Sequence, residues 1–78
     1  MSIYDFVKLN IDERAEEAWK GTYLCERVYA DYLIQLYNVS NFYVEVFYKA
    51  ELNKIVKIQY FKSTRLLDPY LKKHNGLD

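Results

Sequence analysis

In the first part of the chain, apolar residues recur at the spacing of an α-helix. From Ile11 onward, apolar residues stand at i, i+4, i+7 and i+8, which is one face of a helix. Gly21 is a typical helix end. The apolar stripe also reaches back towards the N-terminus, so residues 3–20 form either one helix from Ser2 or two helices with a break. A break is favoured because Asn10 suits the capping position at a helix start.

From Thr22 to Lys62 the period changes to two, and β-branched and aromatic residues dominate. This pattern predicts four strands, at residues 22–29, 32–38, 42–49 and 54–62, and the short links make neighbours antiparallel. A two-residue turn at Ala30-Asp31 pairs residue 29 with residue 32. Three-residue loops ending in Asn41 and Asn53 pair 38 with 42 and 50 with 54, since Asn tolerates the left-handed conformation that closes such a loop.

These pairings divide the strand residues between two faces. The predicted core face carries Tyr23, Cys25, Arg27, Tyr29, Tyr32, Ile34, Leu36, Phe42, Val44, Val46, Tyr48, Val56, Ile58 and Tyr60. The other face carries Leu24, Glu26, Val28, Leu33, Gln35, Tyr37, Tyr43, Glu45, Phe47, Lys57, Gln59 and Phe61. A core face needs a cover, and the N-terminal helix supplies part of it.

The second predicted face sorts into rows that run across the sheet. One row holds Leu24, Tyr37, Tyr43 and Phe61, a polar row follows, and Phe47 lies in a third row. These five residues are called the aromatic band below. A contiguous exposed apolar patch marks an interaction surface more often than a solvated face.

After Lys62 the sequence predicts a short C-terminal helix. Ser63 or Asp68 can cap it, Pro69 fits its first turn and Gly76 ends it. Residues 1–78 are therefore expected to form a single small α+β domain. Its architecture is a four-stranded antiparallel meander sheet flanked by an N-terminal helix and a short C-terminal helix, in the order αββββα.

In outline, a meander followed by a helix is similar to the Pur-type and Whirly-type binders of single-stranded nucleic acid. That resemblance implies that aromatic side chains on the sheet stack on unpaired bases. The αββββα order also resembles the RelE-type toxin fold. These are resemblances of outline, since the sequence carries no motif of any of these families.

Composition narrows the classes of function and location. The chain of 78 residues has one cysteine, Cys25, and one histidine, His74, so we expect no internal disulfide, no zinc site of the usual kind and no cofactor. No apolar run is long enough to span a membrane. The N-terminus lacks the pattern of a signal peptide, and a lone cysteine fits a cytoplasmic protein.

The net charge is zero, but it is unevenly distributed. Residues 1–48 carry four basic and eight acidic side chains, and residues 49–78 carry seven basic and three acidic ones. A basic patch over the whole domain, which is the usual footprint of a nucleic-acid binder, is therefore not expected.

The most site-like stretch is Lys62, Ser63, Thr64 and Arg65, where a strand ends and a helix is predicted to begin. Backbone N–H groups at a helix start bind anions, and the two flanking cations would strengthen this. No arrangement of nucleophile and base is evident: Cys25 lies on the predicted core face, and His74 lies far away in the sequence. We therefore expect no catalytic residues and no enzymatic activity.

The sequence thus predicts a small non-enzymatic interaction module that forms a homodimer through the aromatic band. The alternative function is binding of single-stranded nucleic acid or a small anionic ligand, on that face or at residues 62–65. Glu26 and Glu45 beside the band disfavour phosphates. A further hypothesis is that the chain's own terminal segments cover the aromatic band.

Overall fold

The computed structural model describes residues 1–62 of the chain. The helices are α1 (Ile3–Phe6) and α2 (Ile11–Lys20), and the strands are β1 (Thr22–Tyr29), β2 (Tyr32–Val39), β3 (Phe42–Lys49) and β4 (Lys54–Phe61). The strands form one antiparallel sheet in the order β1-β2-β3-β4. The predicted α+β fold with an antiparallel meander is confirmed. The predicted C-terminal helix lies outside the described residues.

The N-terminal segment forms two helices, as the break at Asn10 predicts. The Asn10 side chain accepts a hydrogen bond from the Glu13 backbone N–H at 2.8 Å, and the Glu13 carboxylate accepts one from the Asn10 N–H at 3.0 Å. This reciprocal pair is a capping box, which satisfies two backbone donors that the start of α2 leaves unpaired.

Gly21 permits a close approach between the end of α2 and strand β2. A Cβ atom at this position would collide with the backbone carbonyl oxygen of Asn38 and would also press on Val39. A backbone carbonyl cannot move aside without disturbing the sheet, so glycine is needed here for space.

The two hairpins on either side of β2 differ in how well they were predicted. The turn at Ala30-Asp31 pairs Tyr29 with Tyr32, as predicted. The next hairpin was predicted wrongly: its loop has two residues, so that Val39 pairs with Phe42. Ser40, rather than Asn41, takes the positive φ, at 55°. A shift of one residue turns β1 and β2 over relative to β3 and β4.

The last hairpin keeps most of its predicted register. Val46 pairs with Ile58 as predicted, and Asn53 is left-handed, with φ 51° and ψ 45°. The loop is longer than predicted, because a 3₁₀ turn at Ala50–Leu52 precedes Asn53 and Lys49 pairs with Lys54. An irregularity after Phe47 places Tyr48 opposite Ile55.

The true faces of the sheet therefore combine halves of the two predicted faces. The helix face, against which α1 and α2 pack, carries Glu26, Val28, Leu33, Gln35, Tyr37, Val39, Phe42, Val44, Val46, Tyr48, Ile55, Ile58 and Tyr60. The opposite face carries Cys25, Arg27, Tyr29, Tyr32, Ile34, Leu36, Tyr43, Glu45, Phe47, Lys49, Lys54, Lys57, Gln59 and Phe61.

The main core lies between the helices and the end of the sheet where β3 begins. Phe6 and Ala18 are fully buried there against Phe42 and Val44. The Phe6 ring meets the Phe42 ring edge to face, with centroids 5.3 Å apart. The helices thus cover one end of the helix face, and they leave the other end for a surface feature described next.

Candidate binding surfaces

The aromatic band is not a single surface. Tyr43, Phe47 and Phe61 lie on the opposite face, Tyr37 lies on the helix face, and Leu24 lies at the irregularity between Tyr23 and Cys25. Tyr37, Phe47 and Phe61 are buried within the single chain, whereas Leu24 is exposed and Tyr43 is half-buried. The row across the sheet that motivated the band is wrong, because it rested on the wrong β2–β3 register.

The predicted anion site falls at the border of the described residues. Lys62 is exposed just after the end of β4. Ser63, Thr64 and Arg65 lie outside the described residues, so the site stays a prediction.

The helix face carries an apolar hollow beside the C-terminal end of α2. It has a volume of about 260 Å³ and is lined by Trp19, Leu33, Gln35, Val46, Tyr48 and Ile55. We call this cavity the hollow. Trp19 forms a wall of it from α2 while keeping 54% of its surface exposed. On strand β1, Val28 lies directly opposite Leu33 and is 71% exposed.

Hydrogen bonds fix two of the side chains that line the hollow. The Tyr48 hydroxyl donates to Asn53 Oδ1 at 2.6 Å, so the ring is anchored to the loop before β4. The Tyr37 hydroxyl donates to Gln35 Oε1 at 3.5 Å. A cavity with apolar walls and a few oriented polar groups is the usual form of a binding site.

Two acidic residues are neighbours of residues that line the hollow, and we call this pair its acidic rim. Glu26 is exposed and pairs with Gln35 across β1 and β2, so it stands beside the hollow. On α2, Glu16 precedes Trp19 by three residues, which places both on the same side of the helix. The helix has two basic residues, and both are engaged: Arg14 lies over the Phe6 and Tyr60 rings, and Lys20 pairs with Glu17 at 3.0 Å.

Two tyrosines near this rim are donors at neutral pH. Burial, with a hydrogen bond to Glu26, raises the pKa of the Tyr23 hydroxyl, and burial raises the pKa of Tyr37. Tyr23 donates to Glu26 Oε1 at 3.1 Å. The two hydroxyls therefore remain protonated near neutral pH and donate hydrogen bonds to Glu26 and Gln35.

The opposite face carries a buried ion pair and a group of lysines. Glu45 is 4% exposed at its centre, where Arg27 Nη2 and Gln59 Nε2 each approach it at 3.4 Å. Towards the loops at 30–31 and 50–53, the same face carries Lys49, Lys54 and Lys57. Pairing a buried carboxylate with a guanidinium avoids the large cost of an isolated buried charge.

Within residues 1–62, no group of three or more His, Cys, Asp or Glu side chains is placed to hold a metal ion. No helix of that described part is both long and apolar enough to cross a membrane. Comparison with known proteins gives no family, curated protein or solved structure that matches this chain. The function must therefore be argued from the surfaces themselves.

Sequence reasoning missed the hollow. Leu33 and Gln35 had been placed on the face opposite Val46 and Tyr48, so their meeting was not foreseen. The sequence offers one signal for the hollow: Trp19 stands at the edge of the helical apolar stripe. A large ring at the border of the apolar face of a helix can extend over the sheet surface beside the helix.

Proposed function

We propose that this chain is a small non-enzymatic interaction module whose partner inserts an apolar side chain, flanked by a basic residue, into the hollow. The observation that carries the proposal is the hollow itself: α2 leaves one end of an apolar sheet face uncovered beside a half-exposed Trp19. An exposed apolar patch with a polar rim is typical of interaction surfaces.

The size of the hollow supports a side chain rather than a large cofactor. About 260 Å³ lies just below the usual range of small-molecule pockets, which begins at roughly 300 Å³. Aromatic and aliphatic anchors that fill such pockets dominate the energy of many protein interfaces. A phenylalanine or leucine of a partner fits this description.

The charge of the rim supports a basic partner. Glu26 is paired with Gln35 of the hollow, Glu16 lies one helical turn before Trp19, and residues 1–48 carry four more acidic than basic side chains. Charge complementarity of this kind speeds association and rejects acidic partners. A second copy of the chain is the competing occupant; the homodimer that the sequence predicts would instead form through the aromatic band. In a twofold dimer built on this surface the two acidic rims would face each other, which disfavours it.

The test is a titration followed by NMR of the indole N–H of Trp19, which is the only tryptophan of the sequence. The probes are three acetylated and amidated peptides: Lys-Phe-Lys, Lys-Ala-Lys and Glu-Phe-Glu. We expect Lys-Phe-Lys to shift the indole signal at the lowest concentration, because only it combines the ring with positive charge. Equal responses to all three peptides would contradict the proposal.

A pair of variants locates the binding. Leu33→Asp places a charge in the hollow and should abolish the response to Lys-Phe-Lys. Leu24→Asp makes the same change at an exposed position outside the hollow and should leave the response unchanged. Sedimentation of the wild type separates the competing occupant: a dimer at tens of micromolar that Leu33→Asp dissociates would assign the hollow to a second copy and overturn the proposed partner.

A further inference from the structure

The end of the opposite face nearest the loops carries two rows of charged and aromatic residues. One row across the four strands is Tyr29, Tyr32, Lys49 and Lys54, and the next row is Arg27, Ile34, Phe47 and Lys57. We call these eight residues the basic corner. It contains four cations and three aromatic rings, and one of the cations, Arg27, is paired with Glu45 of the adjoining row at 3.4 Å.

Lys49 and Lys54 are direct partners across β3 and β4. Like charges directly opposite each other in a sheet are destabilising. Asp31 offsets part of this cost, since its carboxylate lies 3.4 Å from Lys49 Nζ, but it is about half exposed and therefore well screened. Within residues 1–62, no carboxylate pairs with Lys54 or Lys57. A ligand that carries negative charge would relieve the repulsion between Lys49 and Lys54.

The cations of the basic corner stand over rings. Lys49 Nζ lies 5.5 Å from the centre of the Tyr32 ring, Lys57 Nζ lies 5.1 Å from the Phe47 ring, and Arg27 Cζ lies 6.0 Å from the Tyr29 ring. These contacts are typical cation–π distances and hold the flexible side chains near the sheet. Three cations therefore lie close to the rings of the same face of the sheet.

The basic corner is also accessible. Lys54 and Lys57 are exposed, and Tyr29 is 64% exposed although Arg27 lies over one side of its ring. Ile34 and Phe47 are buried and form the floor. A sheet face that combines cations with an exposed aromatic ring matches the chemistry by which proteins hold unpaired nucleotides: cations contact phosphates, and rings stack on bases.

We propose that the basic corner binds single-stranded nucleic acid, with Lys49, Lys54 and Lys57 on the phosphates and Tyr29 stacked on a base. This site differs from the predicted one at residues 62–65 and from the aromatic band. It lies on the face opposite the hollow, so it stands or falls independently of the proposed protein partner. Since the corner is small, the expected contact covers a few nucleotides.

The experiment is a fluorescence-anisotropy titration of a labelled short oligothymidylate with the full chain at low salt. Lys54→Gln/Lys57→Gln should weaken binding and lower the salt slope by about 1.4, which is two phosphate contacts at roughly 0.7 each for single strands. The matched control is Lys8→Gln/Lys20→Gln, which removes the same charge from exposed positions on the helical segment. This control should bind as tightly as the wild type within about twofold.

The stacking part has its own pair of variants. Tyr29→Ala should weaken binding by at least about fivefold, the lower end for losing one stacked base. Tyr4→Ala removes an equally exposed ring from α1 and should have no effect. Circular dichroism of each variant shows that the fold is retained, which both substitutions at exposed positions should allow.

Three results would overturn the proposal. The first is the absence of any anisotropy change at high micromolar protein in low salt. The second is an equal loss in both double variants, which would mean unspecific attraction. The third is binding of phosphatidylserine vesicles that depends on Lys54 and Lys57 without binding of the oligonucleotide, which would assign the basic corner to a membrane surface.

Discussion

Single turn residues decide how the sheet of this protein is assembled. Ser40 and Ala30 adopt positive φ, both at 55°, although neither is glycine or asparagine. Most residues pay a steric cost in that region because the Cβ atom approaches the backbone. Asn41, which stands beside Ser40 and tolerates that region better, does not take it. The choice between the two neighbours sets the β2–β3 register.

This assignment gives a stability test at the β2–β3 hairpin. Ser40→Gly should stabilise the fold by about 0.5–1 kcal/mol, because glycine relieves the cost of positive φ. Asn41→Gly should destabilise it by about 0.5–1 kcal/mol, because there glycine only adds freedom to the unfolded chain. Urea unfolding of both variants measures the difference. If Asn41→Gly stabilised the fold and Ser40→Gly destabilised it, the result would support the three-residue loop and the sheet faces predicted from it.

Asn53 provides the corresponding test at the last hairpin. Asn53→Val should cost roughly 1–2 kcal/mol, since a β-branched residue is poorly tolerated at φ 51°. Asn53→Gly should be nearly neutral, because relief of the backbone is offset by loss of the hydrogen bond from the Tyr48 hydroxyl. Equal stability of the two variants in urea would show that Asn53 is not left-handed.

At the scale of elements, α2 depends on its two ends. Asn10→Ala removes the capping box and should cost about 1 kcal/mol. Lys8→Ala, which changes an exposed residue in the same linker, is the control and should be within about 0.5 kcal/mol of the wild type. Thermal unfolding followed by circular dichroism compares them. A larger loss from Lys8→Ala than from Asn10→Ala would contradict the capping role.

The other end of α2 is limited by space. Gly21→Ala should destabilise the protein by roughly 1–3 kcal/mol, as for other overpacked sites, because the new methyl group meets the Asn38 carbonyl. Lys20→Ala changes the preceding exposed residue and should have a small effect. If Gly21→Ala unfolds at the same urea concentration as the wild type, α2 does not approach β2 as closely as described.

The sequence predicted the structure correctly where a residue pattern was compatible with only one arrangement. The helix–strand order, the break at Asn10 and the antiparallel meander followed from periodicity and capping. The β2–β3 register did not, because β2 carries apolar residues on both sides: Ile34 and Leu36 on one, Leu33, Tyr37 and Val39 on the other. Burying either side satisfies the hydrophobic pattern, so only the length of the loop distinguishes them.

On the scale of the whole molecule, the two proposed binding surfaces differ in the sign of the charges beside them. The hollow has an acidic rim on the helix face, and the basic corner lies on the opposite face. A net charge of zero conceals this difference, although the excess of acidic residues before position 49 and of basic residues after it already indicates it. The hollow was harder to foresee, since it needs the correct register and the reach of Trp19 from another element.

The measurement that tests the central claim most directly is a reversal of charge at the rim of the hollow. The variant Glu26→Lys and the control Asp5→Lys, which makes the same change on α1, are titrated with Lys-Phe-Lys and Glu-Phe-Glu while the Trp19 indole signal is followed. The wild type and the control should prefer Lys-Phe-Lys. Glu26→Lys should shift the preference towards Glu-Phe-Glu by about two- to fivefold, the range expected for one exposed charge pair. An unchanged preference in Glu26→Lys, or the same shift in Asp5→Lys, would contradict binding of a basic partner at the hollow.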